Sequence, residues 1–292
     1  MHDLAVVATT VAAYRFLMRE LATIIRLSWA AFLFVALAHY IVARMVLDQM
    51  AARLETGDVM AAAVIGHDPA WLALKLSASV LGTAIVAVAL HELILCGDRK
   101  NGQYMLLAFG RREGLFALIS LTLSAVVLTF ETLAISPFGE PTSGMAALLS
   151  TLAFIVAIGL GVRLWPVFPV IVLSGRLAIA GAWKLTRNRF WSFLAIVVLG
   201  SIPIGLIALA IDSFWPSFDS LMDSITSPRQ ERPETAVAAA AVARAEDWLL
   251  VRVGLDFAAS IVSTAVTVGL ISYAYLTVTG GRFDPLLEQG QE

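Results

Sequence analysis

Five charged or titratable residues lie in stretches where charge is out of place. Arg163 ends the run MAALLSTLAFIVAIGLGVR and is followed by Pro166 and Pro169. It lies 11 residues from Ser174, about 16 Å along a helix. That is near the middle of a hydrocarbon core about 30 Å thick. The prolines should kink the helix and release carbonyls. Arg163 would then hydrogen-bond such a carbonyl or meet a carboxylate. Asp256 is the candidate carboxylate, but Arg252, four residues before it, offers a local ion pair. His91 and Glu92 are adjacent near the end of another apolar run. Glu92 should snorkel towards the interface rather than relay protons. HELIL lacks the second histidine of a zinc-protease helix.

The other chemistries lack their parts. Histidines occur at 2, 39, 67 and 91 without metal-ligand spacing, so no metal site is expected. Cys96 is the only cysteine; it excludes an intrachain disulfide and is expected to be a small buried or interfacial thiol. None of the three lysines lies in a phosphate-binding G-x-x-x-x-G-K-[ST] loop, and no G-x-S-x-G elbow occurs. Gly159 and Gly161 lack the third glycine of a dinucleotide fingerprint. No catalytic residue, cofactor or metal is expected, and the chain reads as a non-enzyme.

The elements that must hold these residues follow from the apolar surplus. Hydrophobic residues make up 59% of 292 and charged residues 14%, against about 45–50% and 25% in ordinary soluble domains. Mean hydropathy is +0.85. This excludes a disordered chain or an ordinary soluble enzyme, and a net charge of −2 argues against nucleic acid as a partner. Six runs are long enough to cross a bilayer as helices: 28–47, 71–95, 114–136, 146–174, 191–215 and 248–278. Trp29 and Trp191 mark one set of ends, and Trp71, Trp215 and Trp248 the other. In the last run Gly254/Ala258 and Ala259/Ser263 form small-xxx-small pairs that favour close helix packing, with a dimer face as the alternative.

Basic residues set the expected orientation. One side of the six runs carries Arg15, Arg19, Arg26, Arg99, Lys100, Arg111, Arg112, Arg176, Lys184, Arg187, Arg189 and Arg282. The other carries Arg53, Arg229, Arg232 and Arg244. Twelve against four places both termini in the cytoplasm. The N-terminus lacks a basic, cleavable signal, so the first span should act as an uncleaved one. Segments 4–27, 98–113 and 175–190 read as amphipathic surface helices. In the first, Arg15, Arg19, Thr23 and Arg26 share a face; in the last, Leu177, Gly181 and Leu185 form an apolar stripe. The junctions RELATIIRLSWAAFLF, RREGLFALISLTLSAV and TRNRFWSFLAIVVLG are alike. The expected fold is therefore an all-α integral membrane protein: six transmembrane helices as three hairpins, each preceded by a cytoplasmic amphipathic helix. Residues 216–247 form the long external loop, whose alanine-rich AVAAAAVARAEDW should be helical and lead into the last span.

The stretch VRLWPVFPVIVLSGRLAIAGAWKLTRNRFWSFLAIVVL, about 40 residues, resembles a bacterial family of six-span inner-membrane proteins. That family is grouped with the membrane domain of glycerophosphoryl diester phosphodiesterases. Arg163, Pro169, Trp183, Leu185, Thr186, Asn188, Phe190 and Trp191 carry the resemblance. Where the family often has a glutamate, this chain has Ser174 and Gly175. The resemblance implies a polytopic inner-membrane protein and, with no phosphodiesterase catalytic domain here, does not imply that activity. The leading expectation is a protein that organises anionic lipid or partner membrane proteins. Arg15, Arg19, Arg26, Arg111, Arg112, Arg176, Lys184, Arg187 and Arg189 would be the headgroup contacts. The alternatives are a transporter or permease subunit, using Arg163, Asp256 and the broken helices, and a membrane-embedded lipid-modifying enzyme.

Overall fold

The computed structural model describes residues 5–58, 61–62, 65, 69–97, 109–135, 144–214 and 235–280. Side chains are described throughout these except at 69, 127–135, 144–147, 149–150, 153–154, 212–214, 235–238 and 241. Among the described residues the chain is all-helical and has no strand. These residues form eight helices in order: α1 Val6–Glu55, α2 Pro69–Cys96, α3 Arg111–Ile135, α4 Gly144–Leu164, α5 Val167–Ser174, α6 Ile179–Thr186, α7 Phe190–Phe214 and α8 Thr235–Thr279.

Among the described residues five stretches are long and apolar enough to cross a membrane: Val6–Glu55, Ala70–Cys96, Ile155–Ser174, Phe190–Ile211 and Val242–Thr279. In Phe190–Ile211 only 11% of the most apolar window is buried, and Leu206 and Leu209 are exposed. An uncovered apolar helix of that length is costly in water and at no cost in lipid, so these helices are compatible with a membrane protein. The expected 114–136 span coincides with α3, and the outer part of its side chains lies outside the described residues.

The segment expected as a surface helix at 4–27 is helical from Val6, and two helices meet within it at a kink at Glu20 (φ −106°, ψ 17°). The Glu20 carboxylate accepts a 3.1 Å hydrogen bond from the Thr23 hydroxyl. No Gly or Pro occurs between Val6 and Glu55, and beyond the kink the chain stays helical through the first apolar stretch to Glu55. One expected boundary is corrected: 175–190 is not one helix. Gly175, at φ 65°, closes α5, and its N–H donates to the Ile171 carbonyl at 2.8 Å. The chain re-enters helix only at Ile179 and leaves it after Thr186, so α6 has 8 residues. It buries Ala182 and Leu185, while Leu177 is exposed. The surface segment at 98–113 lies outside the described residues up to 108.

The prolines act as their chemistry requires. α4 ends at Leu164, and Pro166 precedes α5 with φ −65°. Pro169 then sits in the first turn of α5, where its missing N–H leaves no bond unmade. Pro203 is carried inside α7. The alanine-rich segment joins the last apolar run without interruption, giving the 45 residues of α8.

The chain divides into two compact units. The first comprises Met1–Leu27, Thr83–Ile202 and Thr264–Glu292. Its buried side chains include Ile24, Leu27, Leu90, Ile171, Phe193 and Ile196. Within it α3 packs on α4 and α5, and α6 packs on both. The Tyr14 hydroxyl donates to the Gly200 carbonyl at 2.6 Å. The second comprises Ser28–Gly82 and Pro203–Ser263. Its core joins Val42, Val46, Leu47, Met50 and Leu54 of α1 to Val242 and Leu249 of α8. Arg44 bridges Asp48 at 3.2 Å and also pairs with Glu246.

Candidate functional site

Arg163 is positioned by the turns that follow it. The break after Leu164 and the left-handed Gly175 return the chain, so that α6 and the start of α7 come back over the end of α4. The guanidinium carbon then lies 5.2 Å from the ring centroids of both Trp183 and Phe190. Aromatic faces carry negative quadrupole charge and hold a cation without a second ion. Among the described residues no carboxylate pairs with Arg163, and its buried Nη1 has no hydrogen-bond partner. The expected carbonyl or carboxylate partner is replaced by two rings. Trp183 and Phe190 stood in the recognisable stretch, but which of its aromatics would meet the arginine depended on how α6 turns back.

Glu92 does not reach the interface alone. Its Oε1 accepts a 2.8 Å bond from Arg112 Nη1, and its side chain is only 14% exposed. Arg112 is thus a partner of Glu92 as well as a surface cation. His91 is fully buried. Its Nδ1 lies 2.7 Å from the Ser272 hydroxyl, and its ring meets Phe116, which stacks on Phe168 at 4.4 Å. His91 Nε2 has no partner among the described residues. Ser272, 181 positions away, carried no signal in the sequence.

In the second unit, Arg252 Nε lies 3.2 Å from Asp256 Oδ2, one turn along α8. His39 Nε2 lies 2.9 Å from the Ser79 hydroxyl. The Gly254/Ala258 pair does not pack as expected: both are exposed, and a Cβ on Gly254 would meet nothing within 4 Å. The close approach on α8 is elsewhere, at Gly269, where a Cβ would lie 3.1 Å from Ala13 Cβ in the first unit.

All nine candidate headgroup contacts belong to the first unit. Arg15, Arg19, Arg111, Arg112, Arg176, Lys184 and Arg187 are exposed; Arg26 and Arg189 are half-buried. Cys96, expected to be buried or interfacial, is exposed at the end of α2. Among the described residues no three His, Cys, Asp or Glu side chains gather where they could share a metal ion.

Fold and site together define a class: an all-helical chain with several helices long and apolar enough to cross a membrane, and with its exposed basic residues concentrated in one compact unit. Beyond that class, no family model, curated protein or solved structure matches the chain.

Proposed function

We propose that the chain is a non-enzymatic, multi-pass protein of a bacterial cytoplasmic membrane that organises anionic lipid, or partner membrane proteins through it. In this reading α3 supplies the sixth span, the spans pair as three hairpins, and both termini are cytoplasmic. The family resemblance of the Arg163–Trp191 stretch is part of the same proposal. The observation that carries it is charge segregation between the two units. The first unit holds 13 Lys and Arg against 10 Asp and Glu, a net +3; the second holds 7 against 12, a net −5. Cytoplasmic flanks are enriched in Lys and Arg, and each well-placed one attracts an anionic leaflet by about 1 kcal/mol.

The test is purification from native membranes, followed by lipid identification and reconstitution in vesicles of graded anionic content. Enrichment of anionic lipid over the bulk membrane is expected. Indifference to lipid charge, with partner proteins equally unaffected, would sink the proposal.

A transporter or permease is the second reading, favoured by the proline break beside Arg163 and its unpartnered Nη1. Solute flux in proteoliposomes that Arg163→Ala abolishes would select it.

A further inference from the structure

Arg15 and Arg19 are one turn apart on α1 and line a cleft of about 480 Å³ within the first unit. That volume is in the range of small-ligand sites, about 300–1,000 Å³. Three helices build it. α1 contributes the two arginines, Phe16 and Glu20, the end of α2 contributes Leu93, and α8 contributes Tyr273. The Phe16 and Tyr273 rings meet edge to face at 6.4 Å, giving one wall. The tight Ala13–Gly269 approach draws α1 and α8 together beside it. Gly97, at φ 68°, ends α2 at the opposite side.

Among the described residues the cleft holds two guanidiniums against one carboxylate, that of Glu20, which accepts from Thr23 of its own helix. Both guanidiniums are exposed, and among the described residues neither is in an ion pair. Side chains one turn apart stand about 5–6 Å from each other at Cβ. Two guanidinium forks on one helix approach a shared anion from different directions. The oxygens of a tetrahedral phosphate project out of any one plane and can meet both forks, whereas the two oxygens of a carboxylate lie in a single plane. Phe16 and Leu93 supply an apolar wall for whatever the phosphate carries.

We infer that this cleft is a binding site for a phosphate ester, gripped by Arg15 and Arg19. Its assignment to an anionic phospholipid rests on the lipid reading above, whereas the phosphate site itself does not. The site takes one ligand per chain, unlike the many loose contacts of a basic surface.

The test uses the purified full-length protein in a non-ionic detergent, titrated with three probes and read by native mass spectrometry. Dihexanoyl phosphatidylglycerol carries phosphate and tail, glycerol 3-phosphate only the phosphate, and dihexanoylglycerol only the tail. One phosphatidylglycerol should bind per chain, glycerol 3-phosphate more weakly, and dihexanoylglycerol not at all. Arg15→Gln and Arg19→Gln should each weaken binding about tenfold, the size expected for a lost charge-assisted hydrogen bond. Ala12→Phe, which fills the cleft without touching its charge, should abolish it, and Arg53→Gln in the second unit should change nothing.

Equal affinity for glycerol 3-phosphate keeps the phosphate site and makes its ligand a soluble ester. Equal affinity for dihexanoylglycerol overturns the inference, as does wild-type binding by the double arginine variant. Arginine variants that melt earlier yet bind normally also overturn it, because the arginines would then only complement the carbonyl end of α2. Stoichiometric binding without any bulk preference for anionic vesicles would refute the lipid-organising function and leave this site standing.

Discussion

Arg163 carries a full charge into an apolar setting, and two rings take the place of a counter-ion. A desolvated cation–π contact is worth about 2 kcal/mol and an exposed one about 0.5–1. Arg163 is half-buried, so Arg163→Gln should cost about 1–2 kcal/mol. Trp183→Ala should cost a similar amount, and the double variant less than the sum. Thermal unfolding of the four proteins checks this, and strict additivity would mean that ring and cation do not interact. The neighbouring ionic contact gives a second test. Arg112→Gln takes away a hydrogen-bond partner of a carboxylate that is 14% exposed. It should therefore destabilise the protein by about 1–3 kcal/mol, while Arg111→Gln, at an exposed cation, should stay within about 0.5. Equal losses would show that the Arg112–Glu92 bond contributes nothing. At this scale the sequence exposed the anomaly but not its resolution. A lone arginine among apolar residues is visible in any window of twenty. Its partners depend on a left-handed glycine and a short helix that fold the chain back, and His91 finds Ser272 across 181 positions. Local spacing has no access to either.

Helix formation was the most legible feature, because runs of this length and apolarity have no other way to satisfy their backbone in lipid. Where helices stop was legible only where the stop is chemical. The Pro166 break and the helical alanine segment followed from residue type. The kink of α1 at Glu20 did not, because neither a Gly nor a Pro marks it. Small residues misled, since Gly254 is open while Gly82 and Gly200 are the crowded positions. A Cβ at Gly82 would collide with Val35 Cγ2 and lie 3.4 Å from the Ala31 carbonyl oxygen. Val35 is β-branched and restricted at χ1, so it cannot swing away. Gly82→Ala should cost about 1–3 kcal/mol by overpacking, and Val35→Ala should restore much of it. At Gly200 the clash is with the Leu270 side chain, both Cδ atoms and Cγ, and leucine has a second torsion, χ2, through which to move the Cδ atoms. Gly200→Ala should therefore be the milder change. Melting temperatures decide it: a milder Gly82→Ala would mean that α1 and α2 do not approach this closely.

At the scale of the molecule, charge divides more sharply than composition does. A net charge of −2 conceals +3 in one unit and −5 in the other, and moving charged flanks through a bilayer is what the positive-inside bias penalises. If the proposed topology holds, the end of α1 at Glu55 faces the outside and the turn at Asn188 faces the cytoplasm, three spans apart. The single cysteine makes this testable at two exposed sites. In a Cys96→Ala background, Glu55→Cys lies in the second unit at the end of α1, and Asn188→Cys lies in the first, between α6 and α7. An impermeant maleimide added to intact cells should label Glu55→Cys at once and Asn188→Cys only after permeabilisation. The reverse pattern would invert the orientation, and labelling of both in intact cells would deny that the chain crosses the membrane between them. Charge also predicts how the result responds to change. Adding two lysines beside Glu55 removes part of the asymmetry that sets the orientation, so the labelling of Glu55→Cys should become mixed. Adding two beside Asn188 should leave both patterns as they were, because that side already carries the excess.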